Sequence, residues 1–254
     1  MAHRQPRLPG RRPRRPRGRP HGPRAPRLTG HPPRHRKEHH PMTTTSIGIL
    51  GAGRVGAGLA DKLAAAGHRI TLGVRDPQGA AARAHPGITV ADQRTAARTA
   101  DVVINATPGD GSLERLTGLR AELTGKILVD VSNATRDADD GLPGELCHPG
   151  GSLAEQLQAA LPGTRVVKTL NTMLFPVMTA PGTLATPPTA YLSGDDESAK
   201  ETVAGLLGDL GWRPGWIEDL GDITTARATE AMILVVPHIL RRHGFQPFAV
   251  SLAR

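Results

Sequence analysis

Gly51-Ala52-Gly53-Arg54-Val55-Gly56 is the segment with the clearest chemistry: a G-x-G-x-x-G turn between a short apolar run and a helical one. Each glycine has its own task at that spacing. Gly51 permits the tight turn, Gly53 lets a pyrophosphate approach the backbone, and Gly56 lets the helix pack closely on the strand. A helix starting at Arg54 would turn its free amides and dipole toward a phosphate, with Ala52 and Val55 completing the loop. A glycine-rich turn without a ligand would carry the same letters, so the strand–turn–helix order around it decides the reading. That order is present, and it points to dinucleotide binding.

The elements that must hold this turn alternate along the chain. Ile47–Leu50 reads as a first strand. Arg54–Ala66 reads as a helix with Val55, Leu59 and Leu63 on one face and Gly67 as its stop. Further strands are expected at Arg69–Val74, Ile88–Val90, Asp101–Ala106, Ile127–Val131, Arg165–Lys168 and Ala190–Leu192. Helices are expected over Gln78–Ala84, Gln93–Arg98, Leu113–Leu123, Glu197–Leu210 and a long final stretch from Ile223 to Leu240. Ser152-Leu153-Ala154-Glu155 is a capping box for a helix that stops before Pro162. Strands alternating with helices through short loops imply right-handed βαβ units. The fold class expected is α/β: a Rossmann-type doubly wound parallel sheet over 43–180 with a small C-terminal α/β extension over 181–254.

The end of the second strand selects the dinucleotide. A carboxylate there accepts from the ribose hydroxyls of NAD, whereas an arginine holds the 2′-phosphate of NADP. In Gly73-Val74-Arg75-Asp76-Pro77, Arg75 falls at the strand tip. Asp76 comes one step later, where it would cap the helix that Pro77 begins. The spacing favours NADP(H), held through Val74 and Arg75.

Residues Ser46–Pro77, the VVKTLNT stretch ending at Thr172, the LSGDD of Leu192–Asp196 and the closing Ala226–Ile233 together resemble the coenzyme F-420 (deazaflavin)-dependent NADP oxidoreductases. The resemblance covers most of 46–254. It implies hydride transfer between NADP(H) and a deazaflavin coenzyme F-420 or a related flavin-like acceptor. The same module is similar to the cytosolic part of membrane metalloreductases. Two positions depart from the pattern. Val74 stands where members often have Ser or Asn, and Asn171 stands where deazaflavin reductases carry His.

In open α/β sheets ligands sit at the carboxyl ends of the strands. Thr107 and Pro108 after the fourth strand should border the nicotinamide ribose, and Asn133 follows the fifth. Asn171 and Thr172 follow the sixth and should meet the carboxamide or the acceptor ring. Phe175 and Pro176 would form an apolar wall. For each, a turn-stabilising role is the plainer alternative. Aligning two planar rings needs proximity more than a titrating group, so no catalytic acid or base is assigned. Asp195, Asp196 and Glu197 read as helix caps, Asp137, Asp139 and Asp140 as solvated, and Cys147-His148 lacks further ligands, so no metal is expected. Trp212, Trp216, Val203, Leu206, Leu207 and Leu210 read as core.

Charge is divided unevenly. Residues 1–42 hold twelve Arg, one Lys, one Glu and ten Pro, a net of +12, whereas the body carries −3. Without interleaved aromatics the basic segment does not read as a nucleic-acid arm. It also lacks the apolar core of an export signal. It is expected to be a disordered tail, with the folded protein beginning near Met42. No run of eighteen apolar residues suggests a membrane span, and a single cysteine excludes an internal disulfide. A cytoplasmic protein with a small-molecule redox acceptor is expected, a homodimer being left open. Two other functions remain: a non-catalytic NADP-binding redox sensor, and a dehydrogenase of a small carbonyl or imine. The latter class usually has a helical domain after the Rossmann part, and only about eighty residues follow Thr172.

Overall fold

The computed structural model describes residues 44–78 and 87–253. The expected basic tail, and the expected Gln78–Ala84 helix beyond Gln78, lie outside them. Six strands form one parallel sheet: β1 (Ser46–Leu50), β2 (Arg69–Val74), β3 (Ile88–Asp92), β4 (Val102–Asn105), β5 (Ile127–Asp130) and β8 (Arg165–Lys168). Their spatial order is β3-β2-β1-β4-β5-β8, so the chain reverses direction across the sheet between β1 and β4. That reversal opens the crevice in which doubly wound folds bind ligands.

Side chains alternate across this sheet. Ile47, Ile49, Ile104, Val129 and Val167 face one apolar layer with Leu59 and Leu63 of α1 (Arg54–Ala65). Leu50, Val103, Leu128 and Val166 face the other. On that second face α2 (Gln93–Thr99) packs through Ala96 and Ala97, whose small side chains bring its backbone close to β1. The helix is pinned at both ends. Asp92 accepts from the Thr95 amide at 2.9 Å, and the Lys126 ammonium donates to the Ala97, Arg98 and Ala100 carbonyls.

The helix expected over Leu113–Leu123 is interrupted. It forms α3 (Ser112–Thr117) and α4 (Arg120–Leu123), parted at Gly118. Between β5 and β8 lies an unanticipated hairpin, β6 (Thr135–Asp137) with β7 (Pro143–Leu146). Asp139 and Asp140 sit in its exposed turn, Asp140 paired with Arg241 at 2.6 Å. The capping box does open α5 (Leu153–Ala160): the Ser152 hydroxyl accepts from the Glu155 amide and donates to its carboxylate at 2.8 Å.

After β8 come α6 (Phe175–Thr179), β9 (Ala190–Leu192), α7 (Glu197–Asp209) and β10 (Ile217–Asp219). The last strand was not foreseen; it pairs parallel with β9. Val203, Leu206, Leu207, Leu210 and Trp212 join the sheet's first apolar layer, and the Trp212 indole donates to the Met178 carbonyl at 3.0 Å. Asp196 caps α7, its carboxyl held below the ordinary range by hydrogen bonds from Ser198 and the Ala199 amide.

The final helical run, Ile223–His243, is composite rather than one regular helix. Its α-helical parts are α8 (Ala226–Ala231) and α9 (Val236–His243), joined by a 3-10 turn at Met232–Val235. Pro237 stands in the first turn of α9, where its missing N–H interrupts the ladder. With a mean hydropathy of 1.2 the run is long and apolar enough to cross a membrane, yet one side of it (Ile223, Ala226, Thr229, Glu230) is buried in the fold.

The contact between α2 and β1 makes Gly48 a sensitive position. A Cβ there would lie 2.4 Å from the Ala96 carbonyl oxygen, a backbone atom. Gly48→Ala should cost about 1–3 kcal/mol of stability by overpacking, read by urea unfolding. A variant as stable as the parent would show that α2 slides freely on the sheet.

Candidate dinucleotide cleft

The turn after β1 is built around two glycines that tolerate no side chain. Gly51 sits at φ +103°, where its amide donates to the Gly73 carbonyl at 2.9 Å and a Cβ would press within 2.7 Å of the Ala106 oxygen. At Gly56 a Cβ would come within 1.8 Å of the Gly51 oxygen. Gly53 differs: nothing lies within 4 Å of where its Cβ would be. The first two glycines fold the turn, and the third keeps its outer face open.

α1 begins without a side-chain cap and with no acidic residue in its first turn. Its first amides therefore remain available, and the positive end of the helix dipole faces the opening. This is the fit a pyrophosphate needs: free donors, no competing carboxylate and backbone within reach.

From this turn an open cleft of roughly 1010 Å3 runs along the strand ends, large enough for a dinucleotide. Its lining includes Gly51, Ala52, Gly53, Arg54 and Val55 from the turn, Val74, Arg75 and Asp76 from the end of β2, and Thr107 and Pro108 after β4. Phe175 closes the far end. Arg75 is exposed and, among the described residues, makes no hydrogen bond or ion pair. Gln93 and Arg115 also line the cleft, and sequence reasoning missed both. Arg115 is held there by the Gly111 carbonyl at 2.7 Å and the Pro108 carbonyl at 3.2 Å. No motif marks an arginine that reaches back from a helix.

Asn133, Asn171 and Thr172, expected to meet the ligand, are not among the residues that line the cleft. Asn171 is 3% exposed. Its amide donates to the Asn133 oxygen and the Thr229 carbonyl, both at 3.0 Å, while the Asn133 amide donates to the Asn171 carbonyl. With both N–H groups engaged, Asn171 is a clasp between the ends of β5 and β8 and helix α8, which leaves only its side-chain oxygen to meet a ligand. Thr172 is equally buried, and its hydroxyl has no partner among the described residues. The bend that places both is tight: Leu170 is the one non-glycine residue at positive φ, +60°, among those described.

Beneath the clasp lies a buried polar network that the sequence did not reveal. The Lys168 ammonium, 1% exposed, meets the Asp130 carboxylate at 2.7 Å and the Glu230 carboxylate at 3.1 Å. Asp130 also accepts from Asn105 at 2.8 Å and from the Ser132 hydroxyl at 2.8 Å. Asn105 in turn accepts from the Thr107 hydroxyl. Glu230 accepts from the Leu153 and Ala154 amides, adding a second cap to α5. The strand ends under the cleft are thus joined by charge-assisted bonds. Burial alone would lower the Lys168 pKa, but the two carboxylates overcome it and hold it above the ordinary lysine value.

This architecture defines a class: a doubly wound α/β protein with an open cleft at the switch point of its parallel sheet. Residues 46–134 match the family described as NADP oxidoreductase coenzyme F420-dependent. The F420-dependent NADP reductase of Methanocaldococcus jannaschii is 30% identical over 203 residues, 73% of this chain and 88% of that protein. A crystal structure solved for a candidate F420-dependent NADP reductase of Arthrobacter sp. FB24 superposes with a TM-score of 0.76 at 40% identity, covering 83% of this chain and all of that one. Metalloreductase STEAP3 of Rattus norvegicus is 30% identical over 194 residues, 76% of this chain but only 37% of that protein's length. The chain belongs to the coenzyme F420-dependent NADP oxidoreductase family, and is an NADP-dependent oxidoreductase of Rossmann type.

Removing Lys168 should be far more costly than removing a surface partner. Lys168→Met leaves two buried carboxylates without a cation and should cost about 3–5 kcal/mol in urea unfolding. Arg227→Ala, which breaks an exposed pair with Glu155, should change stability little. Because the folded-state pKa of Lys168 is raised, its contribution is complete below the ordinary lysine range and disappears only as pH climbs through the folded value. Equal losses for the two variants would overturn this reading.

Proposed function

We propose that the cleft passes a hydride between NADP(H) and a deazaflavin coenzyme F-420 or a related flavin-like acceptor. One observation carries the proposal: the end of the cleft away from Arg75 is walled by Thr107, Pro108 and Phe175, and Asp76 is its only non-arginine titratable lining residue among those described. Such a wall aligns two stacked rings and offers no group that donates or removes a proton. The names of the methanogen and Arthrobacter relatives support the acceptor class.

In this reading the first-turn amides of α1 hold the pyrophosphate and the open face of Gly53 receives it. Arg75 holds the 2′-phosphate, its guanidinium being matched to phosphate and without a competing partner among the described residues. Thr107, fixed through Asn105 to the Lys168 network, and Pro108 border the nicotinamide ribose. NADP(H) supplies the hydride when bound. The clasp of Asn133 and Asn171 acts at one remove, keeping the ends of β5 and β8 in place beneath the reacting rings.

The test has two parts. Arg75→Ala should weaken NADPH by about 10–100-fold, the scale of a lost charge-assisted contact, and leave NADH nearly unchanged. Equal losses for the two cofactors would refute the role of Arg75. The full chain, saturated with NADPH, should oxidise it when given a deazaflavin or flavin, followed by absorbance, with a flat pH profile near neutrality. Tight NADPH binding with no oxidation by any such acceptor would favour a non-catalytic NADP-binding sensor.

A further inference from the structure

Arg54, the first residue of α1, is exposed at the mouth of the cleft, and its guanidinium is held by two aromatic rings. Its central carbon lies 5.0 Å from the centroid of Phe175 and 5.9 Å from that of Phe245. The rings are 6.1 Å apart and inclined at 34°, so the guanidinium contacts both at once. Phe245 reaches this place on a C-terminal strap. Gly244, at φ +72°, turns the chain out of α9, and the strap then runs back along the loop after β8. The Leu174 amide donates to the Phe248 carbonyl at 3.1 Å, and the Val250 amide to the Thr172 carbonyl at 2.9 Å. Phe245 itself stays 60% exposed, so the guanidinium it contacts is not sealed from solvent.

Two further facts define what Arg54 awaits. It makes no hydrogen bond or ion pair among the described residues, so its donors are free while its position is set. It also rests against Phe175, which follows β8, whereas Arg75 follows β2 on the other half of the sheet. The guanidinium therefore addresses an anion at the reacting end of the cleft. A cofactor pyrophosphate and an anionic chain on the acceptor share that chemistry. The pyrophosphate already has the uncapped amides of α1, which leaves the guanidinium for an anion on the second substrate.

We propose that Arg54, gripped by Phe175 and Phe245, anchors a phosphate or carboxylate on the side chain of the flavin-like acceptor. This rests on the hydride-transfer reading for the identity of the ring, but its test is one of binding. Riboflavin and flavin mononucleotide share a ring and differ by one phosphate. With the full chain saturated in NADP+, quenching of flavin fluorescence should show the mononucleotide binding about tenfold more tightly than riboflavin, the scale of one charge-assisted bond. Arg54→Gln should abolish that preference, leaving riboflavin affinity in place and changing NADP+ affinity far less. Phe245→Leu should reduce the preference part way, because one of the two supporting rings is lost.

Equal affinity for the two flavins, or binding of neither, would overturn the proposal. So would an Arg54→Gln variant that keeps the mononucleotide preference and loses NADP+ affinity, since Arg54 would then serve the cofactor. Oxidation of NADPH is read separately. A retained, Arg54-dependent preference without turnover would sink the hydride-transfer reading and support the anchor.

Discussion

The ammonium of Lys168 is the interaction on which the cleft floor depends. A lysine this deeply buried is affordable only because two carboxylates and a backbone carbonyl surround it. One carboxylate, Asp130, ends β5; the other, Glu230, belongs to α8, far along the chain. Glu230 also caps α5, and Asp130 also anchors Asn105 at the end of β4. One buried cation therefore sets the relative positions of three strand ends and two helices. Thr107 inherits its position from this network through Asn105, so a residue lining the cleft is placed by a charge that never reaches the surface.

A second constraint acts at the opposite side of the turn. Gly51 and Gly56 bring strand and helix so close that only backbone fits between them, while Gly53 faces open space. The turn is rigid where it touches the protein and vacant where it would touch a phosphate. The uncapped start of α1 continues the same division: amides that most helices satisfy with a side chain are left for a ligand. Preorganisation of this kind lowers the ordering cost of binding.

The C-terminal residues complete the site in a way their composition conceals. The segment after α9 looks like a trailing loop, yet its backbone pairs with the stretch after β8 and sets Phe245 beside Arg54. The same stretch carries the Asn133–Asn171 clasp. What lies between β8 and α6 is thus supported from below by the clasp and from the side by the strap.

Much of this was legible from local pattern. The strands β1, β2 and β8, the helix after the glycine turn, the capping box at Ser152 and the placing of Arg75 at a strand tip all follow from short-range rules of period, capping and glycine spacing. Those rules act over a few residues, and tertiary packing did not need to override them. The hairpin β6–β7 and the strand β10 were missed because their residues, such as Thr135–Asp137 and Ile217–Asp219, show too little alternation to signal a strand without a partner. The inward turn of the Asn171 amide was not legible for a different reason. Its type and position after a strand suit a ligand contact, and only the approach of Asn133 and Thr229, 38 and 58 residues away, turns its amide inward. The Lys168 network and the Arg54 aromatic grip are of the same kind. Sequence by itself determined the six strands of the main sheet, the glycine turn after β1 and the class of cofactor, because each is written in neighbouring residues. Tertiary structure decided which polar side chains face the cleft and which are spent holding it, because that depends on partners that only folding brings within hydrogen-bond reach.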